Sequence, residues 1–302
     1  MKRIDPADLT VFLAIARHRS FRKAAVELGV TPSALSHSLR AIEERLDLRL
    51  VNRTTRSVAL TEAGERLQAR LLPAFRDIDD ALEDLNTLRG KPSGRLRINA
   101  SQVAVRLVLL PVLRRFLPAY PDIEVDLVAD DAFADVVGEG FDAGVRLGES
   151  LSADMIATAI GPRQRFVAVA APELLKQHRR PAMPQDLHEL PCIRFRLASG
   201  MLYNWEFERG GIAQEVSVTG ALTLNDMDAM IDAALAGLGV AYVIEAMVQP
   251  HLDAGRLEVL LGDWSPYDPG FFLYYPSRRQ MPAALKAFVD FARGDAKAGK
   301  SG

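Results

Sequence analysis

Cysteine is almost absent from this chain: Cys192 is the one cysteine among 302 residues. That excludes an intrachain disulfide, a two-thiol redox switch and a cysteine-rich zinc site, and leaves Cys192 to read as a buried core thiol. Histidine is nearly as scarce. His18, His37, His178, His188 and His251 are scattered, with no His-Glu-x-x-His, so no metal site is expected. The longest apolar candidate, Ala233 to Ile244, falls short of the ~20 residues a membrane helix needs. The start, Met1-Lys2-Arg3-Ile4-Asp5-Pro6, lacks the apolar stretch of a secretory signal. There is no phosphate-binding Gly-Lys-Ser/Thr loop and no Gly-x-Ser-x-Gly elbow, and the glycines at 138, 140 and 144 have the wrong spacing for a dinucleotide loop. These absences predict a non-enzymatic, cytoplasmic protein with no cofactor and no membrane partner.

What is present is an ordinary globular composition, 49% hydrophobic and 25% charged, long enough for about two domains. The net charge of −2 conceals an asymmetry. Residues 1–60 carry 11 basic and 6 acidic residues, a net of +5, and the remainder is −7. A basic end on an acidic chain suggests contact with a polyanion.

Three regions separate by pattern. The spacing predicts a helix capped by Asp8 and running to about His18, a second from Phe21 to Leu28 capped by Ser20, and a turn at Gly29. A third helix follows, capped by Thr31 with Pro32 at its first position and continuing to Leu46. Leu35, Leu39, Ile42 and Leu46 form its apolar stripe. Its other face carries Ser33, Ser36, His37 and Arg40, with Glu43 and Glu44 only at the far end. Short polar groups and one cation suit a helix lying in the DNA major groove; an ordinary helical bundle is the alternative. Apolar runs on either side of Arg53, Thr54 and Arg56 then read as a β-hairpin wing with a basic tip that contacts phosphates or the minor groove, or as solvated loop charge.

Leu67, Leu71, Ala74, Ile78, Ala81, Leu85 and Leu88 recur at 4-3 spacing through residues 61–90. Such a seam must pack on something. A second copy is the simplest partner, since a two-fold DNA site needs two reading helices, and the chain's own C-terminal region is the alternative. Pro73 should kink this helix. Arg89-Gly90-Lys91-Pro92-Ser93-Gly94 reads as a stop and linker.

From Arg95 onward, strands at 95–100, 123–129, 143–147, 166–170, 216–223, 240–244 and 271–275 alternate with helices at 103–116, 226–236 and 283–292. This predicts α/β structure with largely parallel sheets, and at about 210 residues two lobes. The strand beginning at Leu96 ends in Ser101-Gln102, and the one from Val216 ends in Asn225-Asp226. Each leads directly into a helix, placing backbone N–H groups and a short polar side chain where an anion can bind, or merely capping the helix.

Ser20-Phe21-Arg22-Lys23-Ala24-Ala25, Val30-Thr31-Pro32-Ser33-Ala34-Leu35-Ser36, Ile42-Glu43-Glu44-Arg45-Leu46 and Asn52-Arg53-Thr54-Thr55-Arg56 through Thr61-Glu62-Ala63-Gly64 together resemble the LysR-type transcriptional regulators. The resemblance departs at Pro32 and His37, where many relatives carry Gln and Arg, which bears on base preference. It implies a winged helix-turn-helix domain at 1–60, a dimerising linker helix at 61–90 and a periplasmic-binding-protein-like effector domain at 91–302. In that domain lobe I takes 91–161 and 266–302, and lobe II takes 162–265. It also implies pairing to dimers or tetramers, and a regulator of this kind would meet RNA polymerase. The implied contacts are Thr31, Pro32, Ser33, Ser36, His37, Arg40, Arg53, Thr54 and Arg56 for DNA. For a small, anionic effector they are Ser101, Gln102, Asp130, Arg146, Arg196, Ser199 and Asn225, and for self-association Leu67, Leu71, Ile78 and Leu85. The rival is an enzyme or solute-binding protein with a Rossmann-like domain and no DNA role, which leaves the basic face, the wing and the seam unexplained.

Overall fold

The computed structural model describes residues 4–53, 58–87, 92–131, 139–148, 155–277 and 281–298. These fall into two compact units, one before the linker near residue 88 and one after it.

In the first unit, α1 (Pro6–His18), α2 (Phe21–Leu28) and α3 (Pro32–Leu46) pack around Phe12, Ile15, Leu35, Leu39 and Ile42, all with almost no solvent exposure. The expected caps of the second and third helices are present: the Lys23 N–H donates to Ser20 Oγ at 3.4 Å and the Ala34 N–H to Thr31 Oγ1 at 3.3 Å. The first helix is capped by Asp5 rather than Asp8; the Ala7 N–H donates to Asp5 Oδ1 at 2.9 Å, and Pro6 occupies the position that needs no donor. An antiparallel hairpin follows, β1 (Val51–Arg53) with β2 (Val58–Leu60), in the register Val51 to Leu60. The Thr61 hydroxyl donates to the Arg49 carbonyl and accepts from the Gly64 N–H, starting α4 (Glu62–Thr87), which continues through Pro73. Gly64 is required here, since a Cβ would lie 2.1 Å from the Leu50 carbonyl oxygen.

Among the described residues the second unit contains two larger sheets and two two-stranded ones. The first sheet has the order β4-β3-β5-β15-β6: β3 (Gly94–Ala100) lies parallel to β4 (Ile123–Ala129) and β5 (Ala143–Leu147). The last strand, β15 (Phe271–Pro276), returns antiparallel to β5 and to β6 (Met155–Ile160). Between β3 and β4 the chain is helical throughout, as α5 (Gln102–Ala104), a π turn (Val105–Leu109) and α6 (Leu110–Ala119). Leu96, Ile98, Phe116 and Phe288 of α10 (Ala283–Ala298) fill this core.

The second sheet centres on β7 (Gln164–Ala170), after which comes the short α7 (Pro172–Leu175). A parallel pair, β8 (Ile193–Phe195) with β11 (Leu222–Leu224), flanks the hairpin β9 (Trp205–Arg209) and β10 (Ile212–Val216). Then follow α8 (Met227–Leu235), β12 (Ala241–Ile244), α9 (Glu245–Asp253), β13 (Glu258–Leu260) and β14 (Tyr267–Asp268). β12, β13 and β14 all pair antiparallel with β7, so where largely parallel sheets were expected this one is antiparallel throughout and the first is mixed. Tyr267 and Asp268, expected in the first lobe, thereby join the second sheet.

The expected strand 216–223 is broken. β10 ends at Val216 because the chain turns to donate the Cys192 N–H to the Thr219 carbonyl, and strand pairing resumes only at Leu222. The hairpin β9–β10, missed in the sequence, turns at Gly210 and Gly211, with φ of 61° and 80°. That pair of positive φ values is the two-residue hairpin turn that favours glycine.

Candidate functional site

The first candidate surface is the start of α3. Thr31, Pro32, Ser33, His37 and Arg40 are exposed, and Ser36 is half-buried. No acidic residue lies in the helix's first turn, and the Thr31 and Ser33 hydroxyls share a hydrogen bond of 3.0 Å. Helical spacing alone puts Ser33, Ser36, His37 and Arg40 on one face, because the stripe of Leu35, Leu39 and Ile42 is buried on the other. Thr54 and Arg56 lie outside the described residues, as does the side chain of Arg53.

One carboxylate was misread. Glu43 is not a solvated charge at the far end of the face: it is 7% exposed and accepts from the Leu50 N–H at 2.9 Å and the Val51 N–H at 3.2 Å. It ties the entry of the wing to the reading helix. Its Ile42-Glu43-Glu44 context looks like an ordinary charged helix end, so only the return of the chain at Leu50 reveals the role. Along α4, Leu67 and Leu71 pack onto the core of the first unit, whereas Ile78 is 56% exposed. The side chain of Leu85 is outside the described residues.

The second candidate is a cleft of about 820 Å³ within the second unit, open between its two sheets. Ser101, Gln102, Asp130, Arg146, Arg196 and Asn225 line it, while Ser199 does not, although its neighbours Ala198 and Gly200 do. The helix starts are less open to a ligand than the sequence suggested. The Ala104 N–H donates to Ser101 Oγ at 3.2 Å, and the Gln102 N–H donates to Asp131 Oδ1 at 3.0 Å. At the other junction the cap is Asp226, not Asn225; Asp226 Oδ1 accepts from the Ala229 N–H at 2.8 Å. Arg146 is buried and donates to the Val145 carbonyl, to Asn99 Oδ1 and to the Asp130 carbonyl. Arg196 donates to the Gly200 carbonyl at 2.9 Å, closing its own loop. Arg106, on the π turn, pairs with Asp228 on α8 and so joins the two walls.

Sequence reasoning missed the aromatic wall. Phe166, Tyr203 and Tyr242 line the cleft, and behind them lies Trp205. The Tyr242 ring stacks with Phe166 at 5.4 Å, Trp205 at 5.2 Å and Tyr203 at 6.5 Å between centroids. Burial pushes the Tyr203 and Tyr242 phenols above their ordinary range, and Glu206 adds to both shifts. Burial also raises the Asp268 carboxyl, against the pull of Arg163. The alternation Trp205-Glu206-Phe207 was the available signal, a half-buried strand with two rings on its covered face and a carboxylate on the other. Among the described residues no group of three His, Cys, Asp or Glu could hold a metal ion, and no helix is long and apolar enough to cross a membrane. Cys192 is buried with its thiol pushed up to about 12 by burial.

Residues 6–65 match the bacterial regulatory helix-turn-helix protein, lysR family, and residues 89–297 match the LysR substrate binding domain. The chain belongs to the LysR family of transcriptional regulators. It is 45% identical to the HTH-type transcriptional regulator YcaN of Escherichia coli K12, over 96% of this chain and 95% of the relative. It is 42% identical to the HTH-type transcriptional regulator PgrR of the same organism, over 96% and 97%. The full-length structure of the Vibrio cholerae virulence activator AphB, a member of the LTTR family, superimposes with a TM-score of 0.63 at 25% identity, covering 96% of this chain and 99% of that one. This is therefore a DNA-binding transcription regulator with an effector-binding domain.

Proposed function

We propose that this regulator reads DNA with the exposed face of α3 and the wing, and that a small molecule in the cleft of the second unit biases how it does so. The observation that carries the first half is the face of exposed Ser33, His37 and Arg40 with half-buried Ser36, free of acidic residues in its first turn and braced against the wing by Glu43. The second half rests on a cleft whose opposite walls meet through the Arg106–Asp228 pair. A ligand that favours one spacing of those walls shifts the protein between states, in proportion to its unequal affinity for them. Two copies, joined through the exposed Ile78 side of α4, would present two reading helices to a two-fold site, and RNA polymerase would be the downstream partner. The expected anion loses support at the two helix starts, whose N–H groups are bonded to Ser101, Asp131 and Asp226.

Binding of the full chain to its operator, followed by fluorescence anisotropy across salt concentrations, tests the reading. Arg40→Ala is expected to relax base preference at a cost of ~1–3 kcal/mol. Arg53→Ala is expected to weaken all sequences alike and flatten the salt slope by about 1. An Arg53→Ala protein with an unchanged salt slope and a new sequence preference would overturn the assignment of the wing.

A further inference from the structure

The cleft contains more negative charge than an anion receptor should. Carboxylates of Asp130, Asp131, Glu206, Asp226, Asp228 and Asp268 line it against the guanidiniums of Arg106, Arg146 and Arg196. Each guanidinium already has an acceptor: Arg106 has Asp228, Arg196 has the Gly200 carbonyl, and Arg146 has Asn99 and two backbone carbonyls. The N–H groups that made the helix starts attractive to an anion are bonded to Ser101, Asp131 and Asp226.

Resting on the reading of this cleft as the effector site, we propose that the effector is an organic cation, whose positive end sits against the Tyr203 ring beside Glu206 and Asp268.

Three observations converge on that end of the cleft. Phe166, Tyr242 and Tyr203 form a continuous stack in which Tyr242 is buried between its neighbours, so the half-buried outer ring, Tyr203, is the one with a negative face to offer an ammonium or guanidinium group. Glu206 and Asp268 stand close enough to both phenols to disturb them, and among the described residues neither carboxylate is in an ion pair. Asp268 is partly desolvated and Arg163 offsets only part of that cost, so its proton affinity rises, and a bound cation would add to the counter-charge. The rest of the lining, with Phe195, Met227, Ile244 and Met247, is apolar and suits the body of a small organic molecule, and the volume of about 820 Å³ is ample for one.

Two probes with the same ring and opposite charge, benzyltrimethylammonium and phenylacetate, separate the possibilities by titration calorimetry on the full chain. The cation is expected to bind at least about tenfold more tightly than the anion, equivalent to ~1.4 kcal/mol. The double substitution Glu206→Gln with Asp268→Asn, isosteric at two exposed positions, is expected to weaken the cation by about tenfold while keeping the parent's unfolding midpoint. No heat from the cation, tighter binding of phenylacetate, or an unaffected cation in the double variant overturns the proposal. Met227→Trp fills the cleft from its wall and tests the underlying reading separately. Phenylacetate that binds and is lost in that variant keeps the effector cleft and overturns only its charge. Either probe binding unchanged in Met227→Trp lies elsewhere and counts against the cleft itself.

Discussion

The proposed reading face and the proposed effector cleft are built on opposite plans. The face from Thr31 to Arg40 lies within one helix, and its exposed members are separated by three or four residues. The cleft draws on segments from Ser101 to Pro269, and no two of its walls come from the same stretch of chain. On the face, side chains project from a rigid helix with few partners of their own. In the cleft, most of the polar groups already hold each other. A surface that reads a long polymer can be presented by local geometry alone, whereas a pocket for a small molecule needs walls that only the folded sheets bring together.

Substitutions can break or sharpen this contrast. The largest effect is expected at Trp205, fully buried behind the aromatic wall: Trp205→Ala should cost about 3–5 kcal/mol, measured by chemical unfolding of the full chain. A loss of under ~1 kcal/mol would show that the cleft wall does not depend on the packing beneath it. An intermediate effect is expected at Glu43, where Glu43→Ala leaves the Leu50 and Val51 N–H groups without their acceptor. About 1–3 kcal/mol should be lost, and DNA affinity should fall although every exposed residue of α3 is retained. Glu43→Gln keeps an oxygen acceptor and should recover much of both; failure to do so would assign the role to charge rather than to hydrogen bonding. The smallest effect is expected at Arg106, whose pair with Asp228 is 60% and 38% exposed. Arg106→Ala should cost only ~0.2–1 kcal/mol, and less at high salt. Its larger consequence should be on effector affinity, read by calorimetry, since the two walls lose a direct tie.

How far the chain could be read follows the same division. Ser20, Gly29, Thr31 and Pro32 act on residues two to four positions away, and all four stand where the sequence put them. The apolar stripe of α3 is equally local. Errors begin where two acceptors compete within a few residues, as when Asp5 rather than Asp8 caps α1, and Asp226 rather than Asn225 caps α8. They grow with separation. Strand 216–223 looked continuous until Cys192, more than twenty residues away, turned the chain at Thr219. Leu67 and Leu71 read as part of a seam for a partner; they are half-buried, packed against the three-helix core on one side.

By itself, then, the sequence determined the helices of the first unit, the family and the α/β character of the second, with part of its strands and helices. Periodicity, caps and turn residues act over one or two turns of chain and need no distant partner. Only the tertiary structure decided that Glu43 braces the wing, that Arg146 holds carbonyls, and that Tyr203, Tyr242, Glu206 and Asp268 share one end of a cleft. Each of those roles depends on which group fills the remaining hydrogen-bonding or charge capacity of a side chain. That is settled by neighbours far along the chain, because a buried polar group takes whichever partner the fold brings within reach.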